Sequence, residues 1–299
     1  MRKPTDRNFY KVKEVKEFYD LKGNEIDYYL KDIRNYKGKW LGTDNPERWE
    51  QNKQLHKDHP DIEWWENNPI EYEFNNYNFR TPDDFNTTDE GIIFLGCSHT
   101  AGVALHWYQT WVSYVVNHYG LKAWNLAIGG MGIQTAYRNL VLWTQKERRL
   151  KAKSVCLLIP HFYRWEFYGQ DSQKWNPLTA VGLPGYVPGE FKGIVGMLND
   201  LLFSDRSTFW LMRSQLDAIK AVCDRFDMNL YVNTTLPVAF WEDPAVIPVH
   251  ARDFSHCSPF QQEFIGLRFI EMIENKKVYD PEVFDFFKMA WEVGNTKRK

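Results

Sequence analysis

Gly96-Cys97-Ser98-His99-Thr100 follows a short apolar run, Ile92 to Leu95, and sets a hydroxyl where a strand gives way to a helix. Backbone N–H groups of a helix start converge on such a position, so a serine there can attack a carbonyl carbon. Free serine is a poor nucleophile. It needs a base within hydrogen-bond reach, and the base needs a third group to fix its tautomer and stabilise its cation. Arg252-Asp253-Phe254-Ser255-His256 carries both, with Asp253 and His256 spaced so that one turn can aim them at one point. A second turn, Asn125-Leu126-Ala127-Ile128-Gly129-Gly130, brings a glycine whose backbone can approach an anionic oxygen closely. The chemistry these residues could do is acyl transfer through an acyl-enzyme on Ser98. His256 would be the base and Asp253 its partner, with the N–H groups of Ser98 and Gly130 as the oxyanion hole.

Each piece has a plainer reading. A serine after a strand is more often a helix cap, and Asp253 with His256 could be a capping aspartate beside a surface histidine. Their joint order along the chain favours catalysis. Cys97 and Cys257 flank the proposed nucleophile and base, so a thiol nucleophile ranks second to serine. His99 and His250 lack a carboxylate at comparable spacing. His56 and His59 in HKDH are two ligands on a polar segment, too few for a metal site, so no metal is expected. The glycines at 129, 130 and 132 do not follow a dinucleotide-loop spacing, and no cofactor is expected. Arg164 and Glu166 read as an ordinary ion pair, with Arg164 also able to meet a substrate carboxylate or phosphate.

These residues need a scaffold that delivers them to one edge. From Gly91 onward, short apolar runs ending at Gly or Pro alternate with segments of helical period, the pattern of βα units around a parallel sheet. Strands are expected at 92–95, 124–128, 154–159 and 229–234. Helices are expected at 101–119, 133–148, 207–226 and 258–275. The Gly/Pro-rich stretch NPLTAVGLPGYVPGEFKG between the third strand and its following helix is long enough to be a lid or a binding surface. Residues 1 to about 85 read as loops, short helices and an edge hairpin, with no catalytic pattern. Ligands on open sheets of this class bind beyond the carboxyl ends of the strands, where the three turns lie.

Composition narrows the class. With 43% hydrophobic and 25% charged residues, the 299-residue chain is a globular one, and its 13 Trp make it rich in aromatics. A net charge of −2 with interspersed signs lacks the footprint of a nucleic-acid binder. The N-terminus reads as no signal peptide and no run is of membrane-spanning length. Four unpaired-looking cysteines suit a reducing compartment. The expectation is a cytoplasmic or otherwise soluble protein.

The three blocks resemble the SGNH, or GDSL-like, hydrolase family in kind and in order. Gly96 to Thr100 is similar to its first block, Asn125 to Gly130 to its second, and Asp253 with His256 to its last. The resemblance covers roughly residues 75 to 275. It implies a three-layer α/β/α flavodoxin-like fold with a parallel central sheet, laid out as an N-terminal extension (1–85), a hydrolase domain (86–276) and a C-terminal tail (277–299). It implies a serine esterase acting on a small-molecule or glycan ester, an O-acetylated sugar among the candidates. Two departures stand out. Cys97 replaces the family's usual Asp before the serine, and the third block, normally Gly-x-Asn-Asp, runs Leu158 to Glu166 without an Asn. His161 or Arg164, by position, would contact the substrate or oxyanion instead. The rival expectation is a catalytically degenerate binding or structural protein of the same fold, joining a larger assembly through the N-terminal extension.

Overall fold

The structure is a computed structural model, and it describes residues 36–85, 89–146, 151–160, 164–169, 174–179, 205–234 and 248–282. Its centre is a four-stranded parallel sheet built from β3 (Glu90–Leu95), β4 (Lys122–Asn125), β5 (Lys151–Ile159) and β8 (Asn229–Thr234). The strands lie in the order β4-β3-β5-β8. Consecutive residues of each strand point to opposite faces, and the apolar runs fill both. Ile93, Leu95, Val155, Leu157, Leu230 and Val232 join one buried cluster. Ile92, Phe94, Cys156, Leu158 and Tyr231 join the other.

A pair of helices covers each face. Against the first lie α5 (Ile133–Lys146) and α6 (Asp205–Arg225), through Ala136, Leu140, Leu216 and Ile219. Against the second lie α4 (Trp111–Tyr119) and α7 (Pro259–Glu274), through Trp111, Val115, Ile265 and Phe269. The result is the α/β/α layering expected from the sequence. Burying both faces explains why these strands are continuous apolar runs rather than alternating ones.

The second parallel strand runs over Lys122–Asn125 where 124–128 was expected, and two further stretches differ from expectation. The helix expected over 101–119 is three pieces: α3 (Ser98–Ala101), a 3₁₀ turn at Trp107–Gln109, and α4. Gly102 ends α3 in a left-handed conformation (φ 72°), and Thr110 restarts the helix by accepting the Ser113 N–H at 3.2 Å. The segment after the third parallel strand, where no strand was expected, forms an antiparallel pair of β6 (Arg164–Gly169) and β7 (Lys174–Thr179). The Gly/Pro-rich stretch lies outside the described residues from 180 onward.

Before the sheet, α1 (Pro46–Leu55) and α2 (Pro60–Asn67) lie between two short strands, β1 (Lys37–Gly38) and β2 (Tyr72–Glu73), that pair antiparallel. Their apolar side chains, including Trp49, Ile62, Trp65 and Tyr72, pack on Val103 to Leu105 and Ala251. These are the segments that follow Ser98 and precede Asp253. Among the described residues no helix is long and apolar enough to cross a membrane.

Candidate active site

Ser98 is the first residue of α3, directly beyond the carboxyl end of β3. The turn requires glycine at 96. Its φ is 157°, and a Cβ there would lie 2.1 Å from Thr100 Oγ1. At the first position of a helix, the Ser98 N–H has no intrahelical acceptor. Gly129 in the second turn comes so close that a Cβ on it would lie 3.8 Å from Ser98 Cβ. Gly130 takes a φ of 79°, which an L side chain rarely adopts. Gln262 of α7 ties the turn down by donating to the His99 carbonyl at 3.1 Å while accepting the Trp111 N–H at 2.9 Å.

The Asp253 carboxylate is saturated with donors. Oδ1 accepts the Ser255 and His256 N–H groups at 3.0 and 3.1 Å, and Oδ2 meets His256 Nδ1 at 2.6 Å. Burial alone would raise the Asp253 pKa, but the His256 hydrogen bond and charge, helped by Thr43 and the Ser255 N–H, outweigh it and bring it down to about 2. Asp253 is therefore an anion at any working pH. It holds His256 with Nδ1 as donor, which leaves Nε2 as the basic nitrogen.

His256 and the Ser98 turn are neighbours through His99, whose ring centroid lies 4.9 Å from that of His256. His99 Nδ1 accepts the Cys257 N–H at 3.4 Å. Burial, then the nearby His256 and Arg164 charges, lower the His99 pKa to about 3, so this histidine is a neutral wall and no base. Among the described residues no hydrogen bond joins Ser98 to His256, and the Ser98 hydroxyl lies 4.0 Å from Cys97 Sγ. Burial pushes the Cys257 thiol up to about 12, which disfavours it as a nucleophile. All four cysteines are free and buried.

The residues that sequence reasoning missed come from the N-terminal segment. Thr43 Oγ1 donates to Asp253 Oδ2 at 2.6 Å, across 210 residues of chain. Asp44 forks onto Arg252, at 2.8 Å to Nε and 2.6 Å to Nη2, and also accepts from the Tyr72 hydroxyl. Asn52 donates to the Arg252 carbonyl at 3.1 Å and Arg48 Nη2 to Ser255 Oγ at 2.9 Å. Phe254, a non-glycine residue at φ 53°, lies flat between the rings of His56 and His250, with centroids 4.3 and 5.0 Å away. No local motif marks these residues. Their roles exist only once the chain has folded back on the 251–256 loop.

His59, Asp61 and His250 place one potential metal-ligand atom each within 4.8 Å of one another. All three side chains already take part in hydrogen bonds within the cluster. Asp61 accepts the Val249 N–H at 2.9 Å on one oxygen and the His250 N–H at 2.7 Å on the other, which also meets His250 Nδ1 at 3.1 Å. His59 Nδ1 accepts the Asp61 N–H at 3.2 Å. The cluster is a brace for the chain entering the Asp253 loop.

At the opposite rim, Glu166 does not pair with Arg164 as the sequence suggested. Its carboxylate takes Arg138 Nε and Nη2, each at 3.0 Å, and the Thr135 hydroxyl at 2.6 Å. The cause is the docking of β6 on α5, which presents Arg138 and Thr135 to residue 166. His161 lies outside the described residues.

No family model matches the chain, and no curated protein matches it. Among solved structures it is similar to a protein described as lipolytic and of the G-D-S-L family from Desulfitobacterium hafniense, at 11% identity over 61% of this chain and 99% of that one, with a TM-score of 0.32. It is also similar to TesA, at 13% identity over 62% of this chain and 99% of that one, TM-score 0.30. A third likeness is a GDSL-like lipase from Bacteroides thetaiotaomicron, at 13% identity over 62% of this chain and 89% of that one, TM-score 0.29. The α/β/α layering rests on the chain's own strand order and two core faces.

Proposed function

We propose that the protein is a serine hydrolase of ester-linked acyl groups, with Ser98 as nucleophile, His256 as base and Asp253 as its orienting partner. The observation that carries this reading is the 2.6 Å contact between Asp253 Oδ2 and His256 Nδ1, one ring away from the turn that carries Ser98. His256 Nε2 takes the Ser98 proton as Oγ attacks the carbonyl carbon. The oxyanion of the tetrahedral intermediate accepts from the N–H groups of Ser98 and Gly130. The C–O bond to the leaving alcohol breaks as His256 returns the proton to that oxygen. Water, deprotonated by His256, then attacks the Ser98 ester, and as the acyl–Oγ bond breaks His256 returns the proton to Ser98 Oγ and the acid is released. An O-acetylated glycan fits this chemistry as a substrate, and His161 and Arg164 are the proposed contacts where the family's third-block Asn is missing.

A fluorophosphonate probe on the purified protein tests the reading. The expected result is one adduct on Ser98, absent from Ser98→Ala and strongly slowed in His256→Ala, with ester turnover lost in both. An adduct on Cys97, or none from folded protein, overturns it. The second reading is a catalytically degenerate binding protein of the same fold. It is favoured by the lack of a Ser98–His256 hydrogen bond among the described residues, and it requires saturable ligand binding with no adduct and no turnover.

A further inference from the structure

In the order β4-β3-β5-β8, the chain leaves β3 toward one edge of the sheet and then crosses back to β5 on its other side. The topological switch lies between β3 and β5, and open sheets of this class receive ligands in the crevice at that point. Ser98 follows β3 and Arg164 follows β5. Arg164 is fixed there. Gly132, two residues beyond the proposed oxyanion glycine, lies so near that a Cβ on it would stand 2.2 Å from the Arg164 carbonyl oxygen. Two residues along β6, Glu166 is clamped by Arg138 and Thr135.

Among the described residues the guanidinium meets no carboxylate. Arg164 Nη1 is buried and has no hydrogen-bond partner. Glu166, two residues along the strand, is committed to Arg138, and the active-site acid, Asp253, is saturated by His256, Thr43 and two backbone N–H groups. The positive field of Arg164 reaches the site, because it helps to depress the pKa of His99. A half-buried cation whose Nη1 is cut off from water and unpartnered gives up hydration without gaining a bond, and a rigid guanidinium fork is the geometry that receives a planar or tetrahedral anion in two parallel hydrogen bonds.

We propose that Arg164 is the anion-recognition residue of this site, so that the ester it accepts carries a carboxylate or phosphate seated across the β3–β5 crevice. This rests on the serine-hydrolase reading for its catalytic meaning, but the binding claim can be tested without turnover. Succinate, inorganic phosphate and neutral succinamide are titrated calorimetrically into the full chain, its Ser98→Ala variant, Arg164→Met and Arg164→Lys, each checked for an unaltered thermal melt. Succinate or phosphate should bind the wild-type chain and Ser98→Ala alike, and Arg164→Met at least about tenfold more weakly, the scale of a lost charge-assisted fork. Arg164→Lys should fall between, and succinamide should not bind. The tighter of the two anions names the source, carboxylate or phosphoryl. No anion binding, or equal binding by Arg164→Met, overturns the proposal even when Ser98 takes the fluorophosphonate. Anion binding with no Ser98 adduct leaves the subsite standing and removes the hydrolase reading. As a kinetic arm, the ratio of kcat/KM for an anionic over a neutral acyl ester should drop at least about tenfold in Arg164→Met. An equal loss on both esters would make Arg164 an oxyanion donor instead and overturn the assignment.

Discussion

Thr43 gives Asp253 Oδ2 a second donor at the same 2.6 Å as His256 Nδ1. Two short bonds to one oxygen fix the carboxylate plane, and with it the imidazole orientation. Thr43 therefore acts through Asp253 as a positioning residue. Thr43→Val keeps the shape and removes the donor. We expect Ser98 labelling by fluorophosphonate to slow about tenfold, the scale of one lost hydrogen bond to a charged group, with Thr43→Ser restoring most of the rate. A purely structural role for the Thr43 methyl would make Ser and Val reverse in order. His99 sets a separate pH dependence. Its folded pKa of about 3 lies below the ordinary value of 6.5, so between those limits the unfolded chain binds one proton more. Its contribution to stability is present above pH 6.5 and is lost as pH falls toward 3, with a slope of about 1.4 kcal/mol per pH unit where the difference is complete. Urea unfolding across that range should show the slope, and His99→Gln should flatten it.

At the scale of elements, what the sequence revealed followed from periodicity. Strands buried on both faces appear as apolar runs, and the helices that cover them carry one apolar stripe, so β3, β5 and β8 and the helices flanking them were legible. So were the Ser98 turn and the Asp253-x-x-His256 spacing, because each is local. The helix read across 101–119 failed because the apolar residues Val103 to Leu105 serve a different partner. They turn away from the sheet to pack on Trp65 and Tyr72, and Arg80 holds that detour by donating to the carbonyls of Ala101, Gly102 and Leu105. An apolar stripe records that a residue is buried and says nothing of which layer buries it. The β6–β7 pair was missed for a related reason. Pro177 within β7 argues against a strand on propensity, yet a two-stranded ribbon tolerates proline on its outer edge.

At the scale of the whole molecule, residues 36–85 and the 251–256 loop form one structural unit, although about 170 residues of chain separate them. Asp44 and Arg252 are the centre of that unit. The pair is buried, with Arg252 also stacked over Trp40 at 4.3 Å and hydrogen-bonded to Ala104 through its backbone. Burial raises the Asp44 pKa, with the Arg252 bonds opposing it. Desolvating two charges costs nearly as much as their attraction returns, so such a pair adds little net stability, while breaking it strands one charge in the interior. Asp44→Asn should therefore destabilise by about 3–5 kcal/mol, and because Arg252 adjoins Asp253 it should also reduce Ser98 labelling in protein that remains folded. Arg252→Met should do likewise. The double variant should lose less of both stability and labelling than the two single variants summed, with a coupling energy of about 1–3 kcal/mol in the cycle. Strict additivity would show that Asp44 and Arg252 act independently, and that the N-terminal segment does not hold the catalytic loop through this pair. Recovery of stability without recovery of labelling would assign the pair's specific role to loop geometry, since apolar packing would then have replaced its energy and left its orientation of Asp253 unreplaced.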